Sequence, residues 1–193
     1  MKKQLIFFIA FSILLVSCSL NFVPVKDDYI EISNKFAIIK QKDYDLAVRY
    51  KTWQKKPGNL NSYFTTFFII FRNKTQHQIE LNMDDFYLID FQNEQYNLYS
   101  SQEVIEIIYP KDYYLEEIYP IIPRSPNEVL NIEEQFQNRD TSIKNIRFDS
   151  FEFNKLQPNA VKRGYIYFEK IEAEKNKKVE LVYKEHSITF KIE

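Results

Sequence analysis

The sequence predicts a mainly β fold, an antiparallel β-sandwich carrying a partly helical insertion around residues 100–157. Three observations predict it. Short runs of β-branched and aromatic residues, some strictly alternating in polarity, recur between turn-forming clusters on both sides of the insertion. Inside the insertion the period changes, and four of the seven prolines cluster between Pro110 and Pro126. Nowhere do strands alternate with helices in the manner of a doubly wound parallel sheet.

The chain opens with Lys2 and Lys3, an apolar run from Leu5 to Val16 broken only by Ser12, and small Ser17 ahead of Cys18. This is the layout of a signal peptide, residues 1–17 being cut away. As a helix rising ~1.5 Å per residue, the run would cover ~18 Å of the ~30 Å hydrocarbon core, too little for a stable span. Ser19–Asp28 lacks a sustained period and contains Pro24. Residues 18–28 therefore read as a tether, reaching up to ~34 Å over ten extended residues, ahead of one domain at 29–193.

Tyr29–Lys40 supplies one or two strands with a bend at Ser33–Lys35. From Leu46 to Trp53 apolar and polar residues alternate as a half-buried strand requires. Lys56-Pro57-Gly58-Asn59 has turn chemistry, and Tyr63–Arg72 is apolar on both faces, the signature of a central strand covered on both sides. Three short strands follow at Ile79–Met83, Phe86–Phe91 and Tyr96–Tyr99. In the insertion, Ser100 with Glu103 and Ser125 with Glu128 have capping-box spacing ahead of apolar residues. They predict a short helix stopped by Pro110 and a longer one from Pro126 to about Asn138. Phe148, Phe151 and Phe153 suggest another strand or a docking segment. Gly164–Ile171, Val179–Tyr183 and Ile188–Ile192 close the chain, the last two as a hairpin. Gly164, one of only two glycines, is expected to start a core strand where the backbone needs glycine.

Composition excludes several functions. Without Lys2 and Lys3, 24 of the 26 basic residues face 27 acidic ones, a net charge of −3 over 176 residues, which lacks the basic excess of a nucleic-acid binder. Two isolated glycines cannot build a phosphate-cradling loop. The single cysteine excludes an intrachain disulfide.

Two resemblances follow. Leu15-Val16-Ser17-Cys18 resembles the lipobox of bacterial lipoproteins, which implies cleavage between Ser17 and Cys18 and lipid attachment at the Cys18 sulfur. Two or three acyl chains at ~0.8 kcal/mol per buried CH₂ hold a protein almost permanently on a membrane. Tyr63–Asn73, Phe86-Tyr87-Leu88-Ile89-Asp90, Tyr96, Pro158 and Gly164-Tyr165-Ile166-Tyr167-Phe168 resemble the immunoglobulin-like, telokin-like extracellular domains of bacterial lipoproteins. That likeness implies the sandwich and carries no catalytic residues.

The candidate chemistry is sparse. The histidines, His77 and His186, sit in polar turns without a nucleophile or orienting partner in a recognisable context, so no enzymatic activity is expected. Two histidines and an acylated cysteine are too few for zinc. The pairs Asp43/Asp45 and Asp84/Asp85 lack the spacing and turn glycine of a calcium loop. No cofactor or metal is expected, and the Asn73-Lys74-Thr75 glycosylation tripeptide is discounted in a bacterial context. Tyr99, Tyr109, Tyr113, Tyr114 and Tyr119 crowd the insertion. Tyrosine in β-proteins ordinarily fills core or sheet faces, and packing is favoured; its amphipathic ring also suits glycans and proteins, so these five form the candidate binding surface. The function expected is that of a non-catalytic binding or envelope-interaction module, held on the bacterial cell envelope, the outer membrane foremost, with an envelope protein or glycan as partner. The alternative is a small-molecule carrier or enzyme accessory in which residues 100–157 cap a pocket.

Overall fold

The computed structural model describes residues 21–110 and 126–193, with 126–133 and 135 described by backbone alone. Its strands are β1 (Phe22–Pro24), β2 (Ile30–Ser33), β3 (Phe36–Lys40), β4 (Tyr44–Tyr50), β5 (Phe64–Asn73) and β6 (Ile79–Glu80), then β7 (Phe86–Ile89), β8 (Gln95–Tyr99), β9 (Lys155–Leu156), β10 (Val161–Glu169), β11 (Lys178–Tyr183) and β12 (His186–Ile192). The helices are α1 (Leu60–Tyr63), α2 (Ser101–Ile108) and α3 (Pro126–Asp149). Ten strands hydrogen-bond in the order β1-β12-β11-β7-β8-β10-β5-β4-β3-β2, and β6 pairs with β9. Each named pair is antiparallel.

The ten-stranded order folds into two facing layers made continuous by β8. The inner faces meet through Phe67 with Phe190 (ring centroids 5.1 Å apart), Phe71 with Tyr183 (5.7 Å) and Phe22 with Tyr50 (4.5 Å). Strand β5 is central, as its two apolar faces predict. Phe67, Ile69 and Phe71 enter the inter-sheet core, and Phe64 points outward to a second cluster with Trp53, Leu60, Val104, Ile105, Ile146 and Tyr167. A one-residue slip of β5 would exchange the two sets, so burial on both sides pins its register. Its buried hydroxyls are satisfied: Thr66 Oγ1 donates to Lys51 O at 2.6 Å, and Thr65 Oγ1 accepts from Ile171 N at 3.2 Å.

The tether expectation is corrected by β1. Phe22 is buried against Tyr50 and Phe67, and Asn21 and Glu193 exchange both backbone hydrogen bonds at 3.1 and 2.9 Å. Phe22 and Pro24 alternate with exposed Val23 as an edge strand should. The signal is only three residues long and contains a proline, which is tolerated at an edge because its missing N–H faces no partner.

The insertion is also revised. The capping box at Ser100 forms as predicted, with Ser100 N donating to Glu103 Oε2 at 2.7 Å and Glu103 N to Ser100 Oγ at 3.2 Å. Helix α3 runs on to Asp149 rather than ending near Asn138. The polar run from Gln137 to Ser142 hides a continuing helical face, because Ile143 and Ile146 pack into the second cluster and tertiary burial outweighs local polarity. Phe148, expected in a strand or a docking segment, is in this helix and 78% exposed. Residues 151–156 return to the main core through Phe151 and Leu156.

Gly164 lies inside β10 rather than at its start. Neither glycine has a positive φ. Among the described residues four of the six non-glycine positive-φ positions are instead asparagines, Asn34, Asn93, Asn159 and Asn176, the residue that tolerates this region best after glycine. What Gly164 provides is space. After α3 the chain crosses β10, Phe151 N donates to Tyr165 O at 2.7 Å, and a Cβ at 164 would stand 2.4 Å from Phe151 N.

Candidate functional site

Ser17 and Cys18 lie outside the described residues, as do Tyr113, Tyr114 and Tyr119. Tyr99 and Tyr109 are described. Tyr99 is half-buried at the end of β8, its ring edge-on to Phe64 at 5.5 Å and its backbone in register with Tyr167. Tyr109 caps the far end of α2, with the Arg139 guanidinium 5.9 Å from its ring. An eight-residue helix separates the two by about 12 Å, so they do not form one stacking platform.

The structure forms a cleft beside the insertion, with Tyr99 among its lining residues. It measures about 570 Å³ and lies where the insertion meets the sheets, between Leu81–Met83, the start of α2 and the segment Ser150–Asn154 that crosses β10. Its floor holds Tyr167 and Ser150, whose hydroxyls lie 3.1 Å apart. Ser150 Oγ also donates to Ile146 O. Ser150 Oγ thus has both Ile146 O and the Tyr167 hydroxyl within hydrogen-bond reach. Burial pushes the Tyr167 phenol well above its ordinary pKa, so it stays neutral in the physiological range. The floor is thus polar and uncharged, suited to hydrogen bonding rather than to general acid or base work near neutrality. The one sequence signal for it is Gly164, since the crossing at 150–151 needs a residue without Cβ.

The titratable candidates fall elsewhere. His77 is exposed in the turn after β5, and His186 sits at the β11–β12 hairpin, 6.3 Å from the Tyr29 ring and with Nε2 3.4 Å from Glu185 Oε1. Asp45 pairs with Lys74 at 3.2 Å and Asp85 with Lys184 at 3.7 Å. Among the described residues no three His, Cys, Asp or Glu side chains converge as metal ligands. Asn73, the first residue of the glycosylation tripeptide, is fully buried. Its Nδ2 serves the carbonyls of His77, Leu156 and Gln157 at 2.8–3.2 Å, and its Oδ1 accepts from Thr75 N and Oγ1 at 2.9 and 2.8 Å.

Among the described residues no helix is long and apolar enough to cross a membrane. No family model, curated protein or solved structure matches this chain.

Proposed function

We propose that the protein is a lipid-anchored lipoprotein of the bacterial cell envelope, acylated at Cys18, whose folded part is a non-catalytic binding or envelope-interaction module. The observation that carries the reading is Leu15-Val16-Ser17-Cys18, placed where the apolar run ends and supplying the chain's single cysteine. The fold is compatible with it, because Asn21, with only Ser19 and Leu20 between it and the proposed acylated residue, is hydrogen-bonded to Glu193, and β1 packs against the sandwich. The antiparallel sandwich agrees with the proposed likeness to immunoglobulin-like extracellular domains. An alkyne palmitate analogue fed to cells should label the wild type and leave Cys18→Ala unlabelled; equal labelling of both overturns the proposal.

The carrier reading is favoured by one observation, the cleft of about 570 Å³ at the base of the insertion. Its lining joins the hydroxyls of Ser150 and Tyr167 to Asn154 and the Glu152 carboxylate, which suits a small polar molecule. Native mass spectrometry of protein purified from the envelope tests it, a retained adduct lost in Gly164→Ala being the supporting result.

A further inference from the structure

We infer that the end of the sandwich carrying Asn21 and Glu193 lies directly on the lipid surface and binds anionic phospholipid headgroups, an inference that rests on the acylation of Cys18 proposed above. The geometry comes from β1. It runs antiparallel to β12, with Phe22 opposite Ile192 and Pro24 opposite Phe190, so the chain leaves the fold toward Cys18 where β12 ends. Only Ser19 and Leu20 lie between Cys18 and Asn21, three Cα steps with a fully extended reach of about 10 Å. The sandwich is longer than that, since the ten residues of β5 span about 33 Å. A free ten-residue tether would let the fold tumble above the membrane; a two-residue one does not.

The ladders identify what shares this end. From β12 the register passes through Lys178 of β11, Ile89 of β7 and Gln95 of β8, then through Glu169 opposite Phe64, and Phe67 opposite Tyr50. The connections there are 34–35, 51–63, 90–94 and 170–177. They hold seven lysines against four acidic residues, with Lys55 paired to Asp149 on α3 and Lys177 3.9 Å from Glu174. The connections at the opposite end, 25–29, 41–43, 74–78, 81–85, 157–160 and 184–185, hold four lysines against six acidic residues. These strand connections are therefore polarised, basic toward the anchor and acidic away from it, and counting Glu193 leaves the sign unchanged. Attraction to an anionic surface decays over a Debye length of about 8 Å at physiological salt, so a reach of about 10 Å keeps these lysines within its range. Tyr63, 48% exposed in the same set of connections, adds an amphipathic ring of the kind found at headgroup level.

The test uses the acylated full-length mature protein, its lipid confirmed by intact mass, in vesicles of phosphatidylethanolamine and phosphatidylglycerol. Bimane is attached in separate variants to Lys175→Cys at the anchored end and Lys42→Cys at the far end, both exposed, and quenched by headgroup nitroxide lipid. Quenching at 175 at least about threefold that at 42 is expected for a fold held within a Debye length, and twelve Gly/Ser residues inserted after Ser19 should shrink the difference in high salt. Equal quenching at both positions in acylated protein overturns the orientation and leaves the anchor standing. An intact mass without lipid overturns the anchor itself, and the orientation with it.

Discussion

Replacing Gly164 with alanine perturbs one contact and little else. The added Cβ would stand 2.4 Å from Phe151 N and 2.6 Å from both Phe151 Cα and Ser150 C. All three are backbone atoms, so no side chain can swing aside. Restoring ordinary contact near 3.4 Å requires residues 150–151 to lift by about 1 Å, which breaks the 2.7 Å bond from Phe151 N to Tyr165 O and unseats the buried Phe151 ring. The lost bond contributes about 0.5–1.5 kcal/mol and overpacking about 1–3 kcal/mol. Reduced freedom of the unfolded chain returns about 0.4–1 kcal/mol. A net loss of about 2–3 kcal/mol is expected, lowering Tm by about 4–12 °C for a domain of this size. Urea unfolding followed by fluorescence of Trp53, the single tryptophan and 4% exposed beside Tyr165, reads it directly. Gly58→Ala is the control, since nothing lies within 4 Å of its Cβ position. If Gly164→Ala unfolds within about 0.5 kcal/mol of the wild type, the close approach does not govern that strand.

Asn73→Ala should cost about 2–4 kcal/mol, because it strips the carbonyls of His77, Leu156 and Gln157 of a shared buried donor; a loss under about 1 kcal/mol in urea would show that water replaces the amide. Phe22→Ala should cost about 3–4 kcal/mol, and a chain starting at Asp28 should melt lower than one starting at Leu20; equal melting would return residues 21–24 to the status of a tether. The buried phenols predict alkaline unfolding. Burial raises Tyr44 to about 12 and moves Tyr183 and Tyr167 upward. In the unfolded chain they ionise near 10, so their contribution is complete below that pH and is lost as pH rises toward the folded values. Phenolate absorbance from these residues and loss of the circular dichroism signal should therefore coincide above pH 10; phenolate appearing near 10 with the fold intact would refute the assignment.

The strands were legible where burial imposes a period. The alternation from Leu46, the doubly apolar run of β5 and the final hairpin all carry the arrangement the structure has, because each buries one or both faces in a fixed register. The capping box at Ser100 was legible for a different reason: its two partners are three residues apart and need nothing else. What escaped was short or tertiary. Strand β1 has too few residues to show a period, and β9 has two. The second half of α3 looks polar because only Ser142, Ile143 and Ile146 turn inward over its last two turns. Ile79–Met83, read as one strand, breaks after Glu80 into the turn Met83–Asp85. Leu81 nonetheless stays buried, so the apolar pattern persists where the ladder does not.

The same distinction separates the two functional readings. The anchor signal is linear, four consecutive residues at the end of an apolar run, and is complete in the sequence. The cleft is assembled from segments around residues 81, 100, 152 and 166, which no local pattern links. It depends on one backbone crossing made tolerable by Gly164, and a glycine acting by close approach looks in sequence like one acting by conformation. Among the described residues the positive-φ turn positions that elsewhere recruit glycine use asparagine and lysine, which leaves Gly164 as a marker of contact. Scarcity gives that residue its meaning: with two glycines in 193 residues, the one inside a buried strand marks the place where two backbones must touch.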